Sequence, residues 1–181
     1  MTENKKHSAL YHLIHLAIFA MLGVIMYISD ILMEFLPNVH IVGVLVVVFT
    51  VVYRVRALIP IYVYVFLNGL FSGFGIWWLG YLYVWAILWG MAMLVPRRLP
   101  WKWKTVIYTA VVTLHGLAFG VLYAPVQMIY NSDINYILSW IAIGFVTADI
   151  YHAIGNCIFG VLLIVPLSRL LLKLEGEIVP S

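Results

Sequence analysis

Long apolar runs divided by short clusters of cations constrain this chain more than any other feature of its sequence. The ten Lys and Arg residues fall at Lys5-Lys6, Arg54/Arg56, Arg97-Arg98/Lys102/Lys104 and Arg169/Lys173, always between or beyond hydrophobic stretches. Lys and Arg are retained in cytoplasmic loops during membrane insertion, so this spacing predicts both span number and orientation. All ten can lie on one side. The opposite side then carries acids, amides, histidines and aromatics.

Composition supports that reading. Of 181 residues, 65% are hydrophobic and 9% charged, against about 25% charged in a soluble domain. The length suits a single integral membrane domain over 1–181 with no separate soluble catalytic domain. The net charge of +3 does not argue for nucleic acid, because the basic residues flank hydrophobic spans. Cys157 stands alone within an apolar run, which excludes a disulfide framework and reads as a small buried hydrophobe. The apolar stretch after Lys5-Lys6 is span-length and lacks a small-residue cleavage site, so it reads as a retained first helix.

A crossing helix needs about 20 residues, and on that basis the sequence predicts an all-α membrane protein. Six transmembrane helices are expected at about 8–32, 41–53, 58–71, 77–95, 105–124 and 147–172, with both termini cytoplasmic. The apolar region 136–172 is too long for one simple crossing. Its first part, 136–145, is expected to form a short helix at the outer face. Pro37 and Asn38 mark a turn in the first exterior linker, and Pro60 suits the early part of the third helix.

This orientation assigns depth to the polar residues. Asp30, Glu34, Asn38 and His40 surround the first linker, and Asn68 comes late in the third span. Trp77, Trp78, Tyr81 and Trp85 come early in the fourth, and Tyr123 and Gln127 come from the end of the fifth and its loop. Asp149, His152 and Asn156, spaced three and four apart, share one face of the sixth helix. Ionisable groups at membrane depth normally face protein or a water-filled cavity. Aromatic planes on one helix opposed by polar groups on another suit a ring-bearing solute, which stacks on the planes and is oriented by the polar groups. The candidate binding set is therefore Asn38, His40, Asn68, Trp78, Tyr81, Trp85, Gln127, Asp149, His152 and Asn156.

Each of these residues also has a plainer role open to it. Trp and Tyr gather at membrane interfaces without any ligand, which accounts for Trp77, Trp101 and Trp103. Asp149 and His152 also fit a mutually satisfied pair. His12 and His15 suit interfacial or packing roles, and His115 an interhelical hydrogen bond. Gly116 and Gly120 have the GxxxG spacing of close helix contact. No nucleophile–base motif, phosphate loop or metal-ligand spacing occurs, so catalysis is not expected, although an intramembrane acid–base pair of Asp149 and His152 remains a rival. A purely structural membrane partner is a third reading.

Three stretches carry a resemblance. They are Met33-Glu-Phe-Leu-Pro-Asn-Val-His40, Tyr53-Arg-Val-Arg-Ala-Leu-Ile-Pro-Ile-Tyr-Val-Tyr-Val-Phe-Leu-Asn-Gly69 and Tyr81-Leu-Tyr-Val-Trp-Ala-Ile-Leu-Trp-Gly90. With the small size and six expected spans, they make the chain similar to the substrate-binding S component of energy-coupling factor (ECF) vitamin transporters, in particular Firmicute members. The resemblance implies a multi-pass protein of the bacterial cell membrane that binds solute outside and hydrolyses no ATP itself. The implied partners are an integral scaffold (T) subunit and two cytoplasmic ABC ATPases that hold the ATP and Mg, with no cofactor in this chain. It also implies that the first linker closes over solute, that the subunit topples in the membrane, and that small residues of the first helix form the docking face. The family's Ala-x-x-x-Ala pattern is absent; Ala17, Ala20 and Gly23 recur every third residue instead. The absence of Lys and Arg outside counts against a carboxylate-rich solute. The expected solutes are a hydroxymethylpyrimidine-like thiamine precursor, then pantothenate, then cobalamin.

Overall fold

The computed structural model describes residues 3–178, with side chains from Leu10 to Glu177; the Lys5-Lys6 side chains and the Ser8 side chain lie outside this set. Every regular element among these residues is helical. They are α1 (Glu3–Leu32), α2 (Val42–Tyr53), α3 (Leu58–Ser72), α4 (Ile76–Met93), α5 (Trp101–Leu117), α6 (Phe119–Tyr130), α7 (Ile134–Gly144) and α8 (Ile150–Ile178). A 3₁₀ turn, Arg54–Ala57, joins α2 to α3, and a π turn, Phe145–Asp149, joins α7 to α8. Five helical stretches are long and apolar enough to cross a membrane: Leu10–Leu32, Val42–Ser72, Ile76–Met93, Trp101–Tyr130 and Ile134–Glu177. Large apolar side chains such as Leu13, Met21, Phe66, Val121 and Leu162 are exposed on the outside of the bundle. Such a surface suits lipid rather than water.

The Val-rich α2 lies at the centre. Its residues Val42–Thr50 are all buried, because it packs against α1, α4, α5 and α8. A helix that is apolar all round is stable only when surrounded. At its end the chain turns through Arg54, which has a left-handed φ of 55°. The Arg54 guanidinium donates to the carbonyl of Met93, at the last residue of α4, at 2.8 Å, and Trp89 Nε1 donates back to the Arg54 carbonyl at 3.0 Å. A cation at a helix C-terminus meets unsatisfied carbonyls and the negative end of the helix dipole. The 15-residue α3 then ends at Gly73, whose φ of 89° favours glycine.

Several of the described cations meet at this same end of the bundle. Lys104 and Arg169 both lie over the Trp101 ring, 4.5 and 5.3 Å from its centroid. His15 Nε2 reaches Glu175 Oε1 at 2.6 Å, joining α1 to α8 there. Asp30, by contrast, lies two turns or more beyond, at the other end of α1.

The last apolar region differs from the sequence expectation. Where a short helix at 136–145 and a span at 147–172 are expected, α7 and α8 follow each other through the π turn Phe145–Asp149 as one helical run whose pitch changes there. The reason lies in pairing with the preceding helices. Gln127 meets Tyr136, Tyr123 stacks on Trp140, Asn156 bonds to Val112 and Trp101 lies beneath Arg169. Thus α5–α6 and α7–α8 form one long antiparallel pair, and each is interrupted at the same level. Taken together, α5 and α6 cover Trp101–Tyr130 where a span at 105–124 is expected, and Pro125 lies inside α6. Cys157 is exposed, not buried, because its neighbours Gly155 and Asn156 take the inward face of α8.

Ala17 and Ala20 are exposed, but Gly23 is buried. A side chain at Gly23 would sit 2.5 Å from Val63 Cβ and 2.8 Å from the Pro60 carbonyl. Steps of three residues drift around a 3.6-residue helix, so the three small residues do not share one outward patch. Gly23 permits close approach of α1 to α3. Replacing Gly23 with Leu is expected to destabilise the protein by about 1–3 kcal/mol through overpacking. Ala20→Leu is expected to leave the thermal midpoint of the detergent-solubilised protein unchanged.

Candidate functional site

The linker between α1 and α2 is a run of tight turns, closed by backbone bonds from Met33 to Asp30, Glu34 to Ile31, Leu36 to Met33 and Val39 to Leu36. Asn38 adopts a left-handed φ of 62°, which Asn tolerates better than most residues. Its side chain donates to the Thr147 carbonyl in the π turn at 3.3 Å. Val39 packs on Gly155, where any side chain would meet Val39 Cγ1 at 3.0 Å. The strip is therefore held against α8.

Beneath it lies a cavity of about 430 Å³. Asp30 and Tyr27 of α1, Glu34, Asn38 and His40 of the linker, Asn68 of α3, Tyr81 of α4, Phe119 of α6 and His152 of α8 contribute to its wall. No Lys or Arg lines it among the described residues. On the other side of Leu36–Val39 is a lateral groove of about 410 Å³, bounded also by Thr147 and Tyr151.

Aromatic packing fixes the cavity floor. Tyr64 and Tyr81 stack with ring centroids 6.4 Å apart, and Trp85 meets both edge-on at 5.9 Å. His40 and His152 stand 5.1 Å apart, and Phe119 lies 5.1 Å from His152. The Tyr64 hydroxyl donates to Asp30 Oδ2 at 2.7 Å. His40 Nδ1 is buried without a protein partner among the described residues. Burial, reinforced by the neighbouring His115, pushes the His40 imidazole down from 6.5 to about 4, so it stands neutral at pH 7 as a hydrogen-bonding group.

Five of the ten residues singled out from sequence border this cavity: Asn38, His40, Asn68, Tyr81 and His152. The other five do not line it. Trp85 lies one turn below Tyr81, closed off by the tyrosines and His40. Trp78 donates its Nε1 to the Val65 carbonyl at 2.8 Å, tying α4 to α3. Gln127 accepts from Tyr136 at 3.4 Å near the exposed α6–α7 turn. Asn156 donates to the Val112 carbonyl at 3.0 Å.

Asp149 does not pair with His152. Both its oxygens accept from the Gly120 backbone N–H, each at 3.1 Å. First-turn N–H groups of a helix have no intrahelical partner, and at the start of α6 the Asp149 carboxylate takes one of them, that of Gly120, from another helix. Gly120 is required because a side chain there would meet Asp149 Oδ2 at 2.7 Å. Asp149 and Asn156 both turn toward the α5–α6 pair, where Gly120 and Val112 take them, while His152 between them reaches the cavity wall. The sequence does not single out Tyr27 and Phe119, which line the cavity from α1 and α6; an aromatic in an apolar helix carries no local signal distinguishing wall from packing.

Asp149→Ala is expected to lower stability by about 1–3 kcal/mol, the cost of an unsatisfied buried donor, measured by thermal unfolding in detergent. The depressed His40 pKa has a definite sign. Its contribution to stability is complete above about pH 6.5 and is lost as pH falls toward about 4, where the folded protein must take up a proton. The thermal midpoint should therefore drop across that window, and His40→Gln should remove part of the drop. No family model, curated protein or solved structure matches this chain.

Proposed function

We propose that the chain is the solute-binding subunit of an ATP-driven importer of the ECF type. In this reading it has six membrane spans with both termini in the cytoplasm of a bacterial cell. It captures a vitamin or vitamin precursor outside and delivers it by toppling on an integral scaffold subunit served by two ATPases. The carrying observation is the cavity beneath the α1–α2 linker: aromatic, free of Lys and Arg, and at the opposite end of α1 from the cationic contacts. Orientation by the positive-inside rule turns that cavity outward.

The volume of about 430 Å³ is near the lower end for small-molecule sites, about 300–1,000 Å³. It favours a single-ring or short-chain solute over a corrinoid, which keeps the order hydroxymethylpyrimidine-like, pantothenate, cobalamin. The rival reading, acid–base catalysis by Asp149 and His152, is weakened because Asp149 is committed to Gly120. Docking through Ala17, Ala20 and Gly23 together loses Gly23 to the α1–α3 contact, leaving Ala17 and Ala20 as the exposed small residues.

Native mass spectrometry of gently purified protein tests the proposal. A co-purified small aromatic or vitamin-like mass is expected, and Tyr81→Ala or His152→Ala should reduce its occupancy at least about tenfold, the equivalent of losing about 1.4 kcal/mol. Accessibility labelling should find Arg97–Lys104 cytoplasmic. Its labelling from the medium would reject the orientation.

A further inference from the structure

We propose that the solute taken by this cavity is a cation at neutral pH, an aromatic ring bearing an amidinium, aminium or quaternised ring nitrogen, and that Asp30 is its charge partner. This rests on the reading of the cavity as a solute site, and of the solutes named above it sets aside the anionic pantothenate. Asp30 lines the cavity and gives one oxygen, Oδ2, to Tyr64. Among the described residues no hydrogen bond engages Oδ1, and no Lys, Arg or His forms an ion pair with the carboxylate. A carboxylate in an apolar helix normally has a partner of opposite charge. Here the protein supplies one hydroxyl and leaves the second oxygen open to the cavity.

The remaining wall agrees. Glu34 adds a second carboxylate at the exposed rim, and no cation offsets either acid among the lining residues. Tyr27, Tyr81 and Phe119 line the same space, and aromatic faces attract cations as well as flat apolar rings. His40, neutral at pH 7, and His152 beside it line the same cavity as hydrogen-bonding rings. An anionic solute would enter between two carboxylates with no counter-charge. A neutral one would leave Asp30 Oδ1 without an ionic partner.

Three isosteric probes test this on the purified full chain in detergent, with dissociation constants read by ligand-observed NMR: benzamidinium, neutral benzamide and benzoate. Benzamidinium is expected to bind at least about tenfold more tightly than benzamide, as a charge-assisted contact in place of a neutral one would give, with benzoate weakest. Asp30→Asn should abolish the advantage of the cation, while Glu34→Gln at the rim should retain most of it. Tyr64→Phe, which leaves the carboxylate in place, should also retain it; loss there would move selectivity to the hydroxyl and overturn the assignment. Benzoate or benzamide equalling benzamidinium in the wild type would overturn the charge assignment while leaving the cavity a binding site. Failure of all three to bind would overturn both.

Discussion

A helix broken inside an apolar bundle must find partners for the backbone groups the break exposes, and this requirement organises the site end of the molecule. Buried amides without partners are costly because no water is at hand. At the α5–α6 break the Asp149 carboxylate answers the Gly120 amide. That contact needs a glycine on one helix. It lies where α5 gives way to α6 and the π turn to α8, and Phe119 and His152, which follow these two junctions, enter the cavity wall side by side.

The opposite end is built on a different economy. There the guanidinium of Arg54 and the rings of Trp89 and Trp101 join helix termini through charge, carbonyls and aromatic faces. Between the two ends, α2 contributes bulk apolar contact in all directions. Among the described residues the chemistry is therefore separated along the helix axes: Arg54, Lys104 and Arg169 at one extreme, valine in the middle, and a cavity of acids, imidazoles and tyrosines at the other. Such separation lets the cavity stay free of positive charge while the chain as a whole carries a net +3.

Much of this was legible in the sequence. The apolar runs and cation clusters announced a helical protein with membrane-length stretches, and the polar inventory of the first linker pointed to the end that holds the cavity. Local spacing failed where helices meet. Periodicity grouped Asp149 with His152 and Asn156, but Gly120 and Val112, which engage Asp149 and Asn156, belong to other helices and leave no mark in that spacing. Gly23 was grouped with Ala17 and Ala20 by sequence interval, whereas its environment is decided by Val63 and Pro60 on another helix. The Asp30–Tyr64 bond joins residues 34 apart in sequence, and no pattern along either helix marks them as partners.

The π turn has a consequence for the angular phase of everything after it. Two of its residues face different neighbours: the Thr147 carbonyl takes the Asn38 amide, and the Asp149 side chain takes the Gly120 amide. Removing one residue from this turn would rotate the rest of α8 by about 100° relative to α7, one residue's share of a 3.6-residue turn. His152 would swing from the cavity and Asn156 from Val112 in the same movement. The irregular turn thus acts as a phase setter, and the azimuth of a whole helix is indexed to one surplus residue.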